Sequence, residues 1–135
     1  MRQITFKVPG KPTGKGRPRF TRNGRAYTPN KTRAYESLVA RVAKIAMASE
    51  PVLTGPVRLQ IEACFAKPKS WSKKKREAAY WKTSIPDADN LAKVADALNG
   101  IVWDDDAQVC ELSVKKVYSV HDVEEMIFIV TELTA

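Results

Sequence analysis

One histidine and two cysteines are all that this 135-residue sequence offers to zinc or thiol chemistry. Cys64 and Cys110 stand in apolar-alternating runs with no metal-ligand spacing. That excludes a structural zinc site and predicts two reduced core thiols in a cytoplasmic protein. His121 has no second histidine to work with and falls between acidic and apolar residues, so it reads as a surface residue, not a general base. Long apolar runs are missing as well. The longest, MIFIV at 126–130, is far short of the roughly 20 residues of a membrane-spanning helix. The start, MRQITFKVPGKP, lacks the apolar stretch of a secretion signal. Neither internal repeats nor low-complexity tracts occur, and the length predicts one domain with a core of its own.

What the sequence has in excess is positive charge, with 23 Lys and Arg against 15 Asp and Glu, a net +8. Charge of this size favours a polyanionic partner, of which nucleic acid is the commonest. It is also unevenly spread. Residues 1–48 hold twelve Lys and Arg against the single acid Glu36, whereas residues 87–135 hold three against eleven acids. No linker separates these regions, so the asymmetry predicts two faces of one fold.

Ile4, Phe6 and Val8 alternate with polar residues as in a half-buried strand. PGKPTGKGRPRFTRNGRAY is too broken for a regular element beyond a hairpin at Asn23-Gly24. Thr28-Pro29 reads as an N-cap with proline at the first helical position, opening a helix to about Ser49 with Tyr35, Leu38, Val39, Val42 and Ile45 on one face. A strand over 57–65 follows. SWSKKKREAAYW at 70–81 predicts a short basic helix capped by Ser70 or Ser72. Residues 88–99 predict a helix with Leu91, Val94, Ala95 and Leu98 inward and Asn99-Gly100 as its stop. Strands at 108–119 and 123–133 are expected to pair as a hairpin. Trp71, Trp81 and Trp103 read as amphipathic packing residues. The fold class is α+β: a single domain, residues 1–135, with a mainly antiparallel or mixed sheet and helices packed on one face.

Against this basic background, PDADNLAKVADALNGIVWDDD at 86–106 gathers six aspartates and one lysine. Asp87 and Asp89 project to one side of the chain leading into the helix, and Lys93 and Asp96 share the face of Asp89. Asp104, Asp105 and Asp106 follow once the helix ends. Carboxylates from two ends of a folded-back segment suit Mg²⁺ or Mn²⁺, hard cations that take oxygen ligands and keep room for water and phosphate. Such an ion can clamp and polarise a phosphodiester and activate a water, and Lys93 can stabilise charge developing on the phosphoryl group. The residues also admit plainer readings. Asp87 or Asp89 suits an N-cap, Asp96 a pair with Lys93 or plain solvation, and Asp104–Asp106 an acidic turn.

The run PDADNLAKVADALNGIVWDDDAQV resembles the signature of the RusA family of Holliday junction resolvases: D-x-D-N-L, a lysine four residues past the second Asp, D-A-L, then D-D-x-Q-[VI]. KGRPRFTRNGRAYTPNKTRAYE is similar to the phage-type members, so the likeness covers nearly the whole chain. The resemblance implies a homodimeric, Mg²⁺-dependent endodeoxyribonuclease, with Mn²⁺ as a substitute, that nicks two opposed strands of a four-way junction in DNA recombination and repair. It implies catalytic residues Asp87, Asp89, Lys93 and Asp106 and metal ligands Asp87, Asp89 and Asp106, with Asp105 in the adjacent acidic position as a further candidate ligand. Where some members place Arg before the first Asp, this chain has Ile85-Pro86.

Lys11, Lys15, Arg17, Arg19, Arg22 and Arg25 read as a loop that clamps the DNA backbone, joined by Lys73, Lys74, Lys75 and Arg76 on the basic helix. Phe20 and Tyr27 among them fit either core packing or stacking on exposed bases. Two other activities fit the same composition: a less selective branched-DNA nuclease, and a non-catalytic architectural dimer whose acids only cap helices.

Overall fold

The computed structural model describes residues 2–16, 19–27 and 29–134, with the side chains of Arg19 and Tyr27 outside that description. Strand β1, Gln3–Pro9, alternates as its sequence requires, burying Ile4, Phe6 and Val8. A small hairpin of β2, Arg19–Phe20, and β3, Ala26–Tyr27, turns at Asn23-Gly24, where Gly24 takes φ +77°. Helix α1 runs Asn30–Met47. Pro29 is its N-cap and not its first helical residue; Thr28 lies outside the described residues. Its buried stripe is Thr32, Tyr35, Val39, Ala43 and Met47, spaced so closely by fours and threes that Ile45 is turned outward and 73% exposed.

Strand β4, Val57–Phe65, buries every odd residue. Helix α2, Lys73–Ala78, is capped by Ser72, whose hydroxyl accepts from the Lys75 N–H at 3.2 Å. Residues 88–99 do not make one α-helix. Helix α3, Ala88–Ala92, tightens into a 3₁₀ segment, Lys93–Leu98, while Leu91, Val94, Ala95 and Leu98 still face the core. Gly100, at φ +78°, supplies the expected stop. A 3₁₀ turn, Asp106–Gln108, leads into β5, Val109–Tyr118, and β6 spans Glu125–Glu132.

The four long strands form one sheet in the order β1-β6-β4-β5. The expected β5–β6 hairpin is therefore not made, because β4 lies between them, antiparallel to β6 and parallel to β5. β4 and β6, which hold the two interior positions, bury more of their residues than the edge strand β5 does. The turn from β5 to β6 passes over the end of β4: Asp122 Oδ1 accepts from Lys67 N at 3.1 Å, and Ser119 N donates to the Phe65 carbonyl at 2.8 Å. The fold is thus α+β with a mixed sheet. α1 lies against β1 and the 3₁₀ segment, and α3 lies against β5. Phe6 stacks on Phe128 at 5.1 Å on the covered face, while Lys7 and Gln60 point to the other, open face.

A parallel β4–β5 pair needs a long crossover. Residues 66–108 supply it, and every aspartate of the acidic stretch lies on it. Among the described residues no helix is long and apolar enough to cross a membrane.

Candidate active site

Trp103 anchors the acidic stretch. It is fully buried, its indole N–H donates to Asn99 Oδ1 at 2.6 Å, and its carbonyl accepts from Gly100 N at 2.6 Å. The tight turn that Gly100 permits thus closes on the tryptophan, and Asp104–Asp106 emerge from a rigid base. Gln108 fixes the next turn from inside. Its Oε1 accepts from Asp104 N at 2.9 Å and Asp105 N at 3.0 Å, while its Nε2 donates to the carbonyls of Leu53 and Gly55, both at 2.9 Å. One amide thereby ties the aspartate turn to the loop before β4, which explains why a glutamine follows the aspartates at this spacing. Asp105 is the N-cap of that turn, its Oδ2 accepting from Ala107 N at 3.1 Å in a capping box with Gln108.

Asp106, one residue on, is held against Asp96. The hydrogen bond between the two carboxyl groups, a little burial, and the charges of Asp96 and Asp105 together push Asp106 above the usual carboxylate range. The two acids overhang a cleft of about 220 Å³ whose floor is Leu59, Ala92, Ala95, Val109 and Leu112. Asp96 is not paired with Lys93. Its Oδ2 lies 3.2 Å from Lys15 Nζ, and Glu36 Oε2 lies 3.6 Å from the same ammonium. Burial pulls the Lys15 amine down, but the hydrogen bond to Asp96 and the charges of Glu36 and Asp96 outweigh it and leave the amine above its ordinary value.

Asp87 occupies the N-cap of α3, yet its side chain makes no capping hydrogen bond, so the carboxylate is free of the duty its position suggests. Asp89 sits two residues on, exposed, with its Oδ2 3.8 Å from Lys93 Nζ. The structure therefore assembles two neighbouring pairs, Asp96 with Asp106 and Asp89 with Lys93. It does not gather Asp87, Asp89 and Asp106 into one group: among the described residues no three acidic, histidine or cysteine side chains converge as a metal cage. Asp96 is the residue that sequence reasoning undervalued. Its partner Lys15 is 81 positions away, and no local periodicity could have shown the contact.

A cleft of about 490 Å³ opens beside Asp87. Lys11, Thr13, Lys15 and Lys31 line one side, Ile85, Pro86 and Asn90 the other. The loop sits close because residue 14 is glycine: a Cβ there would come within 3.0 Å of Asn90 Cβ. Lys11, Arg22 and Arg25 are exposed. Arg17 and the side chain of Arg19 lie outside the described residues, as does that of Tyr27. On α2, Lys73 and Lys74 face solvent and Lys75 lies over the Trp71 ring at 4.4 Å. Arg76 is tied into the fold, donating to Asp122 Oδ2 at 2.6 Å and to the Pro68 carbonyl at 2.9 Å.

The structure rules out core packing for Phe20 and departs from the sequence reading at two other side chains. Phe20 is 70% exposed because a two-residue strand has no sheet behind it. Trp81 is 62% exposed, edge-on to Tyr80 and bridging to Val117 at the sheet margin. Cys110 is exposed where β5 forms the sheet edge, so only Cys64 is a core thiol. His121 is exposed, as its place in a turn requires.

The chain is similar to known proteins along most of its length. It is 42% identical over 126 residues to YqaN, an uncharacterized protein of Bacillus subtilis (strain 168), a match covering 86% of this chain and 88% of that protein. The family model described as endodeoxyribonuclease RusA matches residues 9–127, from the end of β1 through the basic loop and the acidic crossover into β6. With most of its length accounted for by that match, the chain belongs to the RusA endodeoxyribonuclease family.

Proposed function

We infer that this endodeoxyribonuclease acts as a homodimer on four-way DNA junctions and resolves them by paired symmetric nicks that require Mg²⁺, with Mn²⁺ able to replace it. The observation that carries the reading is the state of the acids. Asp106 is pressed against Asp96 and Asp87 leaves its helix uncapped, so these carboxylates do nothing for the fold that would explain them. Two carboxylates held side by side repel unless a cation lies between them. Mg²⁺ suits such a site, since it is commonly held by one or two carboxylates and completed by water and phosphate oxygens, with no protein cage required.

By the resemblance Asp87, Asp89 and Asp106 would hold the ion, drawing together around it from the separate positions they occupy without it, and Asp105, whose Oδ2 alone serves the cap, would assist from the adjacent position. When bound, the ion supplies Lewis-acid polarisation of the phosphodiester and an activated water. The rest falls to the chain's own groups. Lys93, 3.8 Å from Asp89, meets the charge that grows on the phosphoryl oxygens as the bond breaks. Lys11, Arg22, Arg25, Lys73 and Lys74 grip the DNA backbone without reading its sequence. Lys75 and Arg76, engaged with Trp71 and Asp122, contribute less. Arg17 and Arg19 belong to the same loop by sequence. Paired cuts on opposed strands need two sites related by a two-fold axis, which a C2 dimer provides. The setting is recombination and repair of DNA in the cytoplasm, or of a resident prophage.

End-labelled synthetic four-way junctions, incubated with and without Mg²⁺ and run on a denaturing gel, test this. Symmetric nicks that depend on Mg²⁺ are expected, with linear duplex left intact. Equal cutting of flaps and forks would instead favour the less selective nuclease. A stable complex with no nicks in Mg²⁺ or Mn²⁺ would favour the architectural dimer.

A further inference from the structure

Lys15 connects the basic loop to the acids in two ways. Its backbone N–H donates to the Asn90 carbonyl at 2.8 Å, stitching the loop to α3. Its ammonium reaches past that helix to Asp96, at 3.2 Å, and Glu36, at 3.6 Å. The other described loop cations differ: Lys11, Arg22 and Arg25 form no ion pair among the described residues. Lys15 is thus the one described cation of the DNA-facing loop held by the acidic stretch.

An ammonium and a divalent cation compete for the same carboxylate, because each is repelled by the other at contact distance. Asp96 pairs with Lys15 at 3.2 Å and lines one cleft with Asp106, so a cation arriving at Asp106 meets Lys15 across a single side chain. We propose that Lys15 is the resident counter-ion of the acidic site, displaced from Asp96 when a divalent cation binds beside Asp106, and thereby turned from the protein's own carboxylate to a DNA phosphate. Lys15 is a positioning residue in this scheme and touches no reacting atom. Glu36, 3.6 Å from the ammonium, stays near it once Asp96 lets go, and the backbone bond to Asn90 keeps Lys15 on the cleft beside Asp87. Metal binding and DNA grip become coupled with positive sign, so the protein holds its junction best when equipped to cut it. The inference rests on the metal-dependent reading above.

Two measurements test it, neither of which reads cleavage. Free protein is titrated with Mn²⁺, counting unbound Mn²⁺ by electron paramagnetic resonance, for wild type, Lys15→Met and Lys15→Arg. Lys15→Met should bind Mn²⁺ roughly two- to five-fold more tightly, the scale of one exposed ion pair. Lys15→Arg, which keeps the counter-ion, should restore the wild-type value. Binding to a four-way junction is then compared in EDTA and in Ca²⁺. Lys15→Met should weaken binding several-fold more in Ca²⁺, where the lysine is released, than in EDTA, where Asp96 and Glu36 hold it. Mn²⁺ affinity in Lys15→Met equal to or below wild type, or an equal loss of DNA binding in EDTA and Ca²⁺, would overturn the proposal while leaving the metal site standing. Wild-type protein that binds no Mn²⁺ would overturn the metal site itself, and this inference with it.

Discussion

Tyr35 shows how much of this protein's design lies in single polar atoms. Its ring fills the space under α1, but its hydroxyl is buried beside the Thr13 backbone without a hydrogen bond among the described residues. Burial outweighs the opposing effect of that backbone and pushes the phenol up to about 12. The folded protein therefore keeps this proton in a pH range where the unfolded chain, titrating near 10, loses it. The sign follows directly: the folded state binds more protons between pH ~10 and ~12, so stability falls as pH rises through that window. Tyr35→Phe removes both the unsatisfied hydroxyl and the titration. Urea unfolding at pH 8 should find the variant as stable as wild type or about 1 kcal/mol more so, and the advantage should grow by pH 11. The two acids of the D-D pair separate in the same way. Asp105→Asn keeps the oxygen that caps the 3₁₀ turn and should retain cleavage, whereas Asp105→Ala should lose about 1 kcal/mol of stability. Cleavage assays combined with thermal melts distinguish a capping residue from a ligand.

At the scale of elements, the crossover from β4 to β5 carries every aspartate of the acidic stretch. Gln108 is its lock, and Gln108→Ala gives up four hydrogen bonds at once. The expected loss is about 1–3 kcal/mol in denaturant unfolding. Cleavage should fall further than junction binding does, since Asp106 loses its support while the basic loop keeps its place. Much of this region was legible from residue types and spacing. The inward set Leu91, Val94, Ala95 and Leu98, the Ser72 cap and the glycine stop at residue 100 all rest on short-range rules. Three of the departures share one cause. That β4 separates β5 from β6, that Cys110 lies on an edge, and that Asp96 reaches Lys15 are all consequences of strand order and long-range packing. Alternation along a strand says which face is buried, but not which strand lies beside it. The α-helical period likewise predicted Lys93 for Asp96, without sight of the loop that folds over from the other end of the chain.

For the molecule as a whole, the uneven charge becomes a division of labour. A loop before α1 and the short helix α2 carry the cations proposed to meet phosphate, and the part of the crossover that follows α2 carries the acids. DNA binding should weaken steeply with salt, and Lys11→Ala and Arg25→Ala should each reduce the slope of log K against log salt by about 1, with no change in junction preference. Sedimentation should find a dimer at the concentrations where cutting is symmetric. The most direct measurement puts Asp106→Asn and wild-type protein side by side on one labelled four-way junction, following binding in Ca²⁺ and strand cutting in Mg²⁺. Asp106→Asn should bind the junction as well as wild type or more tightly, having lost a negative charge near phosphate, and should leave both strands uncut. Paired nicks at the wild-type rate from Asp106→Asn would show that the acidic crossover is not where this protein does its chemistry.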